Sequence, residues 1–345
     1  MNHRVCRLLA CALASLVPLA SLRAQATRVE LLSDYVPGYA ATLSGEDLRY
    51  HSPLPYVDRS LLVRSLDRAR FIEWETVPVP DALDADAAIF AIMAAIDVHQ
   101  EPRQFDLSVN GEPLLSFRNP TAAAAGDTIV WTGKQGVRAE FRVTLIDKYG
   151  DAMGYIFLRL PRVLWESGRP VRLKVAGESA GVPTWFMIFK EPMAPHVIVQ
   201  NAPALMRGGA GDRNTQIVRV DLLYLGDAGR IEMSSPIGTI DTTVALGHSR
   251  FLLPVPEVET ETRVDLRLRV GGQQAATTFA VQPVRRIDMY LIHHTHLDIG
   301  YTHHQSDVER LQWSHLEEAL RLGAASQGHP PEARFSWNPE GLWAV

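Results

Sequence analysis

The spacing of apolar and polar residues divides the chain into stretches of different period. Over residues 27–194, and again over 214–285, short segments alternate apolar with polar residues between turn residues, as at 105–109 and 264–270. Successive side chains of a strand point to opposite faces, so this alternation is typical of half-buried antiparallel strands. We therefore predict two β-sandwich modules, a jelly-roll-like module over 27–194 and a smaller immunoglobulin-like module over 214–285.

Some segments within these ranges need a separate interpretation. Residues 87–96 form a continuous apolar run whose alanines favour helix, whereas its length and flanks fit a strand buried on both faces. Asn110 and Gly111 follow an alternating segment and predict a tight hairpin turn. Residues 195–213 are rich in Pro, Gly, Ala and Asn, so we predict a linker between the two modules.

The period changes after residue 285. Residues 287–292 read as a short buried strand, and apolar residues at helical spacing then predict a helix from about Ser306 to Leu322, ended by Gly323. Another short strand is expected over 334–337. Strand, helix and strand make one βαβ unit, so we predict that residues 286–345 begin an α/β (β/α) barrel. Since such a barrel typically needs about 250 residues, we expect it to continue beyond Val345.

The first 26 residues resemble a secretory signal peptide. A basic start is followed by an apolar stretch and by the small residues Ala24 and Ala26 around a cleavage site. The apolar stretch is too short for a membrane span, so we expect no span and a secreted or periplasmic protein cleaved near Ala26. Cys6 and Cys11, the two cysteines of the chain, would leave with this segment. The formal charge of −5 and the lack of a basic run argue against a nucleic-acid partner.

Histidines concentrate where the strand at 287–292 ends. Five of the twelve histidines of the chain lie between His293 and His304, and Asp298 lies among them. The carboxyl ends of barrel strands hold metal ligands rigidly while leaving them open to solvent. Without thiols in the mature chain, a metal would be held by imidazole and carboxylate, a donor set that suits Zn²⁺ or another divalent ion. The sequence thus predicts a metal site where this strand ends.

The order of motifs around this site resembles the start of the catalytic domain of glycoside hydrolase family 38, the α-mannosidase family. The resemblance is in His294-Thr-His296-Leu-Asp298-Ile-Gly300-Tyr301, in the helix around Trp313, and in Phe335-Ser-Trp-Asn-Pro-Glu340. It implies a retaining glycosidase that binds a carbohydrate substrate, with zinc on His296 and Asp298. Tyr301 would contact the sugar, where the family has Trp. The nucleophile would lie beyond Val345, so no catalytic residue is assigned in this chain.

The other polar residues near the motif receive lesser roles. His294 is a candidate to hydrogen-bond a metal ligand. Glu340, at the end of the second strand, is a candidate to contact the substrate. His293, His303 and His304 are most simply explained as surface or supporting histidines.

Two alternative functions remain open. His294 and His296 also resemble the metal pair that opens amidohydrolase barrels, although Ile292 stands where that motif usually has Asp. A non-catalytic carbohydrate-binding module is the second alternative. Trp74, Trp131, Trp165 and Trp185 would be its sugar-stacking candidates, but aromatic residues in strands are more often part of the core.

Overall fold

The structure, a computed structural model, describes residues 26–83, 85–99, 101–206, 214–236, 238–286, 293–295 and 301–339. It forms two compact units, Met1–Val284 and Arg285–Val345. The predicted signal peptide, including both cysteines, lies outside the described residues. Within the described part of the chain, no helix is long and apolar enough to cross a membrane.

Strands make up most of the first unit. In chain order they are β1 (Thr27–Glu30), β2 (Val36–Pro37), β3 (Ala41–Ser44), β4 (Glu46–Arg49), β5 (Arg59–Arg64), β6 (Phe71–Glu75), β7 (Ala87–Ile96), β8 (Gln104–Val109), β9 (Glu112–Arg118), β10 (Thr128–Thr132), β11 (Arg138–Ile146), β12 (Ala152–Pro161), β13 (Arg172–Gly177), β14 (Trp185–Phe189), β15 (His196–Met206), β16 (Thr215–Tyr224), β17 (Gly229–Ser235), β18 (Gly238–Val244), β19 (Gly247–Pro256), β20 (Thr262–Val270) and β21 (Gln273–Val281). Short 3-10 helices cover Lys134–Gly136 and Arg162–Leu164.

These strands form two β-sandwiches, as the alternation predicts. In the first, a sheet ordered β10-β11-β12-β7-β14-β5-β4, with β2 beside β7, packs on a sheet ordered β3-β6-β13-β8-β9. In the second, a sheet ordered β1-β15-β16-β19 packs on a sheet ordered β18-β17-β20-β21. Apart from the short parallel pair of β2 and β7, the pairings described in both sandwiches are antiparallel. The jelly-roll and immunoglobulin-like assignments stay predictions at the finer level of topology.

The ambiguous segment 87–96 is the strand β7, and it is buried on both faces. Phe90, Ile92 and Ile96 point into the core between the two sheets of the first sandwich. Met93, on the other face, belongs to a second apolar cluster on the outside of the same sheet. A strand with no solvent-facing side needs apolar residues at every position, which explains why its sequence has no alternation.

The outer cluster joins the two sandwiches. Leu54 and Val57, from the loop before β5, cover part of it, and Leu223 and Leu225 of the second sandwich are also members. A hydrogen bond of 2.9 Å between the hydroxyl of Tyr56 and Nε2 of His196 links the same two parts. The two sandwiches therefore share buried apolar surface and belong to one compact unit.

The linker predicted over 195–213 is wrong for its first part. His196–Met206 is the strand β15, and it pairs with β1 on one side and β16 on the other. Val197 and Val199 are buried in the second core, and this burial offsets the conformational entropy that the strand loses when it becomes ordered. Pro203, which suggested a linker, falls where the register shifts between Asn201 and Leu205, a position where a missing N–H is tolerated. Residues 207–213 lie outside the described residues.

The boundary of the first module also differs from the prediction at its start. Thr27–Glu30 is the strand β1, which pairs with β15 and so belongs to the second sandwich. The first sandwich accordingly begins later than residue 27. Long-range pairing of this kind leaves no local signal in the alternation pattern.

The predicted hairpin is present at Asn110 and Gly111. These two residues connect β8 and β9 with φ values of 51° and 91°, so both occupy the left-handed region. A two-residue turn with positive φ at both positions matches the twist of the flanking strands, and Asn-Gly is the sequence that adopts it most readily.

The second unit contains a helix and a pair of short strands among its described residues. Strand β22 (His293–Thr295) pairs in parallel with β23 (Trp337–Pro339), and the helix α1 (Gln305–Ala325) lies between them in sequence. A 3-10 helix at Pro331–Ala333 precedes β23. No closed barrel is described, so the predicted (β/α) barrel stays a prediction.

The limits of α1 differ from the predicted ones. The helix begins after His304 and continues through Gly323 to Ala325, where Ser326 ends it. The N–H of Ser326 bonds to the carbonyl of Leu322, so the last turn is closed despite the glycine. Most of its predicted apolar stripe is not buried, since Leu311 and Leu320 are 43% and 76% exposed.

We predict different costs for adding a methyl group at two glycines of the first sandwich. At Gly111 a Cβ would meet no atom within 4 Å, so Gly111→Ala should cost only the strain of its positive φ, about 1–2 kcal/mol. At Gly154 a Cβ would lie 1.9 Å from the carbonyl oxygen of Arg142, so Gly154→Ala should cost about 3 kcal/mol or more. Urea denaturation would measure both free energies of unfolding.

Gly111→Asn is the matched control, because Asn tolerates the left-handed region better than Ala. It should recover most of the loss seen with Gly111→Ala. Equal losses for Gly111→Ala and Gly154→Ala would contradict the close approach of β11 to Gly154.

Candidate functional site

The residues around the predicted metal site lie at one edge of the small parallel sheet. Thr295, the last residue of β22, pairs with Pro339, the last residue of β23. The two strands therefore end at the same edge, where parallel α/β sheets carry their functional groups. His296 directly follows the first strand in sequence, and Glu340 directly follows the second.

The proposed ligands themselves lie outside the described residues. This holds for His296 and Asp298, and also for Glu340. His294 lies in β22 opposite Asn338, but only its backbone is described. The metal site thus stays a prediction.

Tyr301 and the last two histidines of the cluster are accessible to solvent. The side chain of Tyr301 is 92% exposed, as a ring that stacks on a sugar must be before the sugar binds. His303 and His304 are exposed as well. The carbonyl of His304 accepts the N–H groups of Asp307 and Val308, so the main chain of His304 begins the helix.

The four tryptophans do not form a sugar-binding face. Trp74 and Trp165 are 1% and 3% exposed, and their indole N–H groups donate to the carbonyls of Gly38 and Leu160. Trp131 is half-buried against Phe117 and Phe141, and Trp185 packs on the outer cluster. The interpretation of these residues as core is therefore correct.

The structure also forms a polar cluster that the sequence did not single out, at one end of the first sandwich. Asp147 is its centre: one carboxylate oxygen accepts the hydroxyl of Tyr50 at 3.0 Å and lies 3.4 Å from His51. The other oxygen accepts the N–H groups of Tyr149 and Asp151 at 2.8 and 2.9 Å. Burial raises the pKa of Asp147, but these N–H groups together with the Tyr50 hydroxyl and His51 outweigh it and hold that pKa below its ordinary value.

Asp151, four residues further on, has the opposite shift. Burial, together with the nearby charges of Asp97 and Asp147, raises the pKa of Asp151 to about 6, although its carboxylate accepts the N–H of Val98 at 3.2 Å. Burial also raises the pKa of Asp97.

This cluster does not form a metal site. Within the described ranges, no three His, Cys, Asp or Glu side chains are arranged to hold a metal ion. The members come from three separate loops, which explains why sequence spacing did not reveal them. The local signal was the pair Asp147 and Asp151 flanking a turn between β11 and β12.

Comparison with known proteins identifies no family. No family model matches the chain, and no curated protein matches it. Solved structures resemble it only weakly. A calcium-binding mutant of Bacteroides uniformis beta-glucuronidase 2 is 9% identical with a TM-score of 0.22, over 86% of this chain and 39% of that one.

The second is a GH2 beta-galacturonidase from Eisenbergiella tayi bound to galacturonate, 10% identical with a TM-score of 0.20, over 85% of this chain and 52% of that one. The third is a putative beta-galactosidase from Bacteroides fragilis, 9% identical with a TM-score of 0.21, over 85% and 48%. The chain thus spans about two fifths to one half of these structures. At such TM-scores the likeness carries neither family nor activity to this chain.

The raised pKa of Asp151 predicts a specific pH dependence of stability. The folded state binds this proton more tightly than the unfolded chain, whose value is near 3.8. The contribution of Asp151 to stability should therefore rise as the pH falls from about 6 to about 4, by roughly 1 kcal/mol after allowance for solvent screening. Asp151→Asn should remove this contribution, as measured by urea denaturation at several pH values.

Asp34→Asn, at an exposed loop position, is the matched control. The difference in the free energy of unfolding between wild type and Asp151→Asn should change with pH by more than the difference between wild type and Asp34→Asn does. Parallel curves for wild type and Asp151→Asn would contradict the raised pKa.

Proposed function

We propose that this chain is the amino-terminal part of an exported, metal-dependent glycoside hydrolase resembling family 38. It would act on α-mannosidic or related linkages, with His296 and Asp298 as zinc ligands. Export rests on the signal-peptide pattern of residues 1–26.

The observation that carries the proposal is the parallel pairing of β22 with β23. In sequence, His296 and Asp298 follow the first of these strands, and Glu340 follows the second. A sequence motif of this kind is informative only in the right structural context, here the carboxyl end of a parallel strand. In a solvated loop without a paired strand, the same residues would support a metal site much less.

The residues of the motif fit zinc by their chemistry. An imidazole nitrogen and a carboxylate oxygen are both common zinc ligands, and neither needs a thiol. Zinc bound here would polarise and hold sugar hydroxyls near the reacting carbon. His296 and Asp298 would bind the ion and transfer no proton. The exposed ring of Tyr301 would lie against the apolar face of the sugar. The nucleophile and the acid that a retaining glycosidase needs are expected beyond Val345.

We predict that His296→Ala and Asp298→Ala each abolish bound zinc and hydrolysis of an aryl α-mannoside together, in the protein isolated with its complete barrel. Loss of a ligand should lower metal affinity by at least about 100-fold, since even the loss of a residue that hydrogen-bonds to a ligand lowers metal affinity or activity by about 10–100-fold. Zinc content by mass spectrometry and initial rates would be measured on the same samples. His303→Ala, an exposed neighbour, is the control that should keep both.

The same set of variants separates the amidohydrolase alternative. That alternative requires His294 as a ligand, so His294→Ala would abolish zinc binding while Asp298→Ala would keep it. Retention of zinc and activity by His296→Ala would contradict both proposals. An intact mass of the native protein close to that of the signal-cleaved chain, below 38.3 kDa, would also exclude the catalytic proposal.

A further inference from the structure

A cleft of 470 Å³ lies at one tip of the first sandwich, away from the predicted metal motif in sequence. One wall is the hairpin turn between β8 and β9, at Asn110 and Glu112. The facing wall is the segment 163–171, which follows β12 and contains most of the 3-10 helix Arg162–Leu164. This volume is within the range of small-molecule sites, about 300–1,000 Å³.

Hydrogen bonds hold the two walls at a set distance. The side-chain amide of Asn110 donates to the carbonyl of Leu164 at 3.0 Å, and its oxygen accepts the N–H of Arg172 at 3.0 Å. The N–H of Gly168 donates to the carbonyl of Val79 at 2.8 Å, which fixes the turn at the rim. The cleft is therefore formed before any ligand binds.

The lining is apolar below and polar at the rim. Val109, Trp165 and Val171 are buried beneath the cleft, whereas Val163 is 80% exposed on its wall. An apolar side chain held this far into solvent on a short 3-10 helix gives no packing energy to the fold. It does present a surface against which the apolar face of a ligand can pack.

The polar groups at the rim provide both donors and acceptors. Glu166 pairs with Arg169 at 3.1 Å across the turn, with both side chains more than 70% exposed. Glu112 accepts the amide of Gln135 at 2.8 Å through one carboxylate oxygen. Exposed ion pairs are worth little to stability, so these groups can exchange their partners for those of a ligand at small cost.

A neutral pyranose matches this combination of groups. Its C–H face can pack on Val163 and Pro170, and its hydroxyls can both donate to carboxylates and accept from a guanidinium. Two carboxylates and one guanidinium line the cleft, so an anionic sugar would meet more repulsion than attraction. A purely apolar ligand would make no use of the three charged groups at the rim.

We propose that this cleft is a non-catalytic binding site for neutral pyranose sugars on the first sandwich. It relies on the proposed function only for the class of ligand, since none of its residues belongs to the metal motif. The site would hold a glycan while the catalytic domain acts elsewhere on it.

Saturation-transfer NMR tests this proposal with the full chain, in a His296→Ala background that removes the predicted zinc site. Methyl α-D-mannopyranoside, methyl β-D-galactopyranoside and methyl β-D-glucuronide would be presented at about 5 mM, a concentration suited to weak sugar binding. We expect transfer to at least one neutral glycoside and less to the glucuronide. Val163→Asp and Arg169→Ala should each reduce the transfer by about fivefold or more, which corresponds to about one contact of ordinary strength.

Leu252→Asp is the matched control, since Leu252 is 57% exposed on the second sandwich, where the same substitution should leave the transfer unchanged. Circular dichroism would verify that every variant is folded. No transfer to either neutral glycoside would overturn the proposal, as would equal transfer in wild type and Val163→Asp, or a stronger signal from the glucuronide. Because the metal site is absent throughout, these outcomes do not depend on whether the proposed hydrolase activity is correct.

Discussion

The burial of β7 on both faces is the constraint on which the first unit depends. Phe90, Ile92 and Ile96 on one face need a second sheet above them, and Met93 on the other needs a cover as well. Each fully buried side chain of this size contributes about 1.5–3 kcal/mol relative to exposure. A single sandwich covers only one of these faces. The outer face is covered by loops and by Leu223 and Leu225, which brings the second sandwich into the same unit.

This shared burial explains why the two sandwiches are not separated by a flexible linker. The chain passes from β14 through Met193, which is fully buried in the outer cluster, directly into β15. The buried His196 supports this connection, because its ring bonds to Tyr56 and to the carbonyl of Ala194. Burial lowers the pKa of His196, so the ring stays neutral and can accept the hydroxyl of Tyr56.

Burial and hydrogen bonds together set the pKa values of the carboxylates at the ends of the strands. Asp147 and Asp151 lie in one turn, yet the pKa of Asp147 is lowered while that of Asp151 is raised to about 6. Burial raises both pKa values, but Asp147 accepts three N–H and O–H groups, which with the nearby His51 outweigh its burial, whereas Asp151 accepts one and burial dominates. Asp221 of the second sandwich is buried among Arg219, Arg250 and His248, and its pKa is also lowered. Buried carboxylates thus stay ionised in this protein where hydrogen-bond donors or cationic side chains surround them.

The alternation of residues and the turn residues were enough to predict two sandwiches, the hairpin at Asn110 and Gly111, and the core role of Trp74 and Trp165, because each depends on local geometry or on residue type. The metal motif is also defined by residues adjacent in sequence, and it stays a prediction. Tertiary structure alone decided that β1 and β15 belong to the second sandwich, and that Asp147 lies beside Tyr50 and His51. It also decided that Asn110 and segment 163–171 enclose a cleft. These outcomes depend on contacts between residues far apart in the chain, and such contacts leave no periodic signal because strand pairing is selected by burial and not by neighbours in sequence.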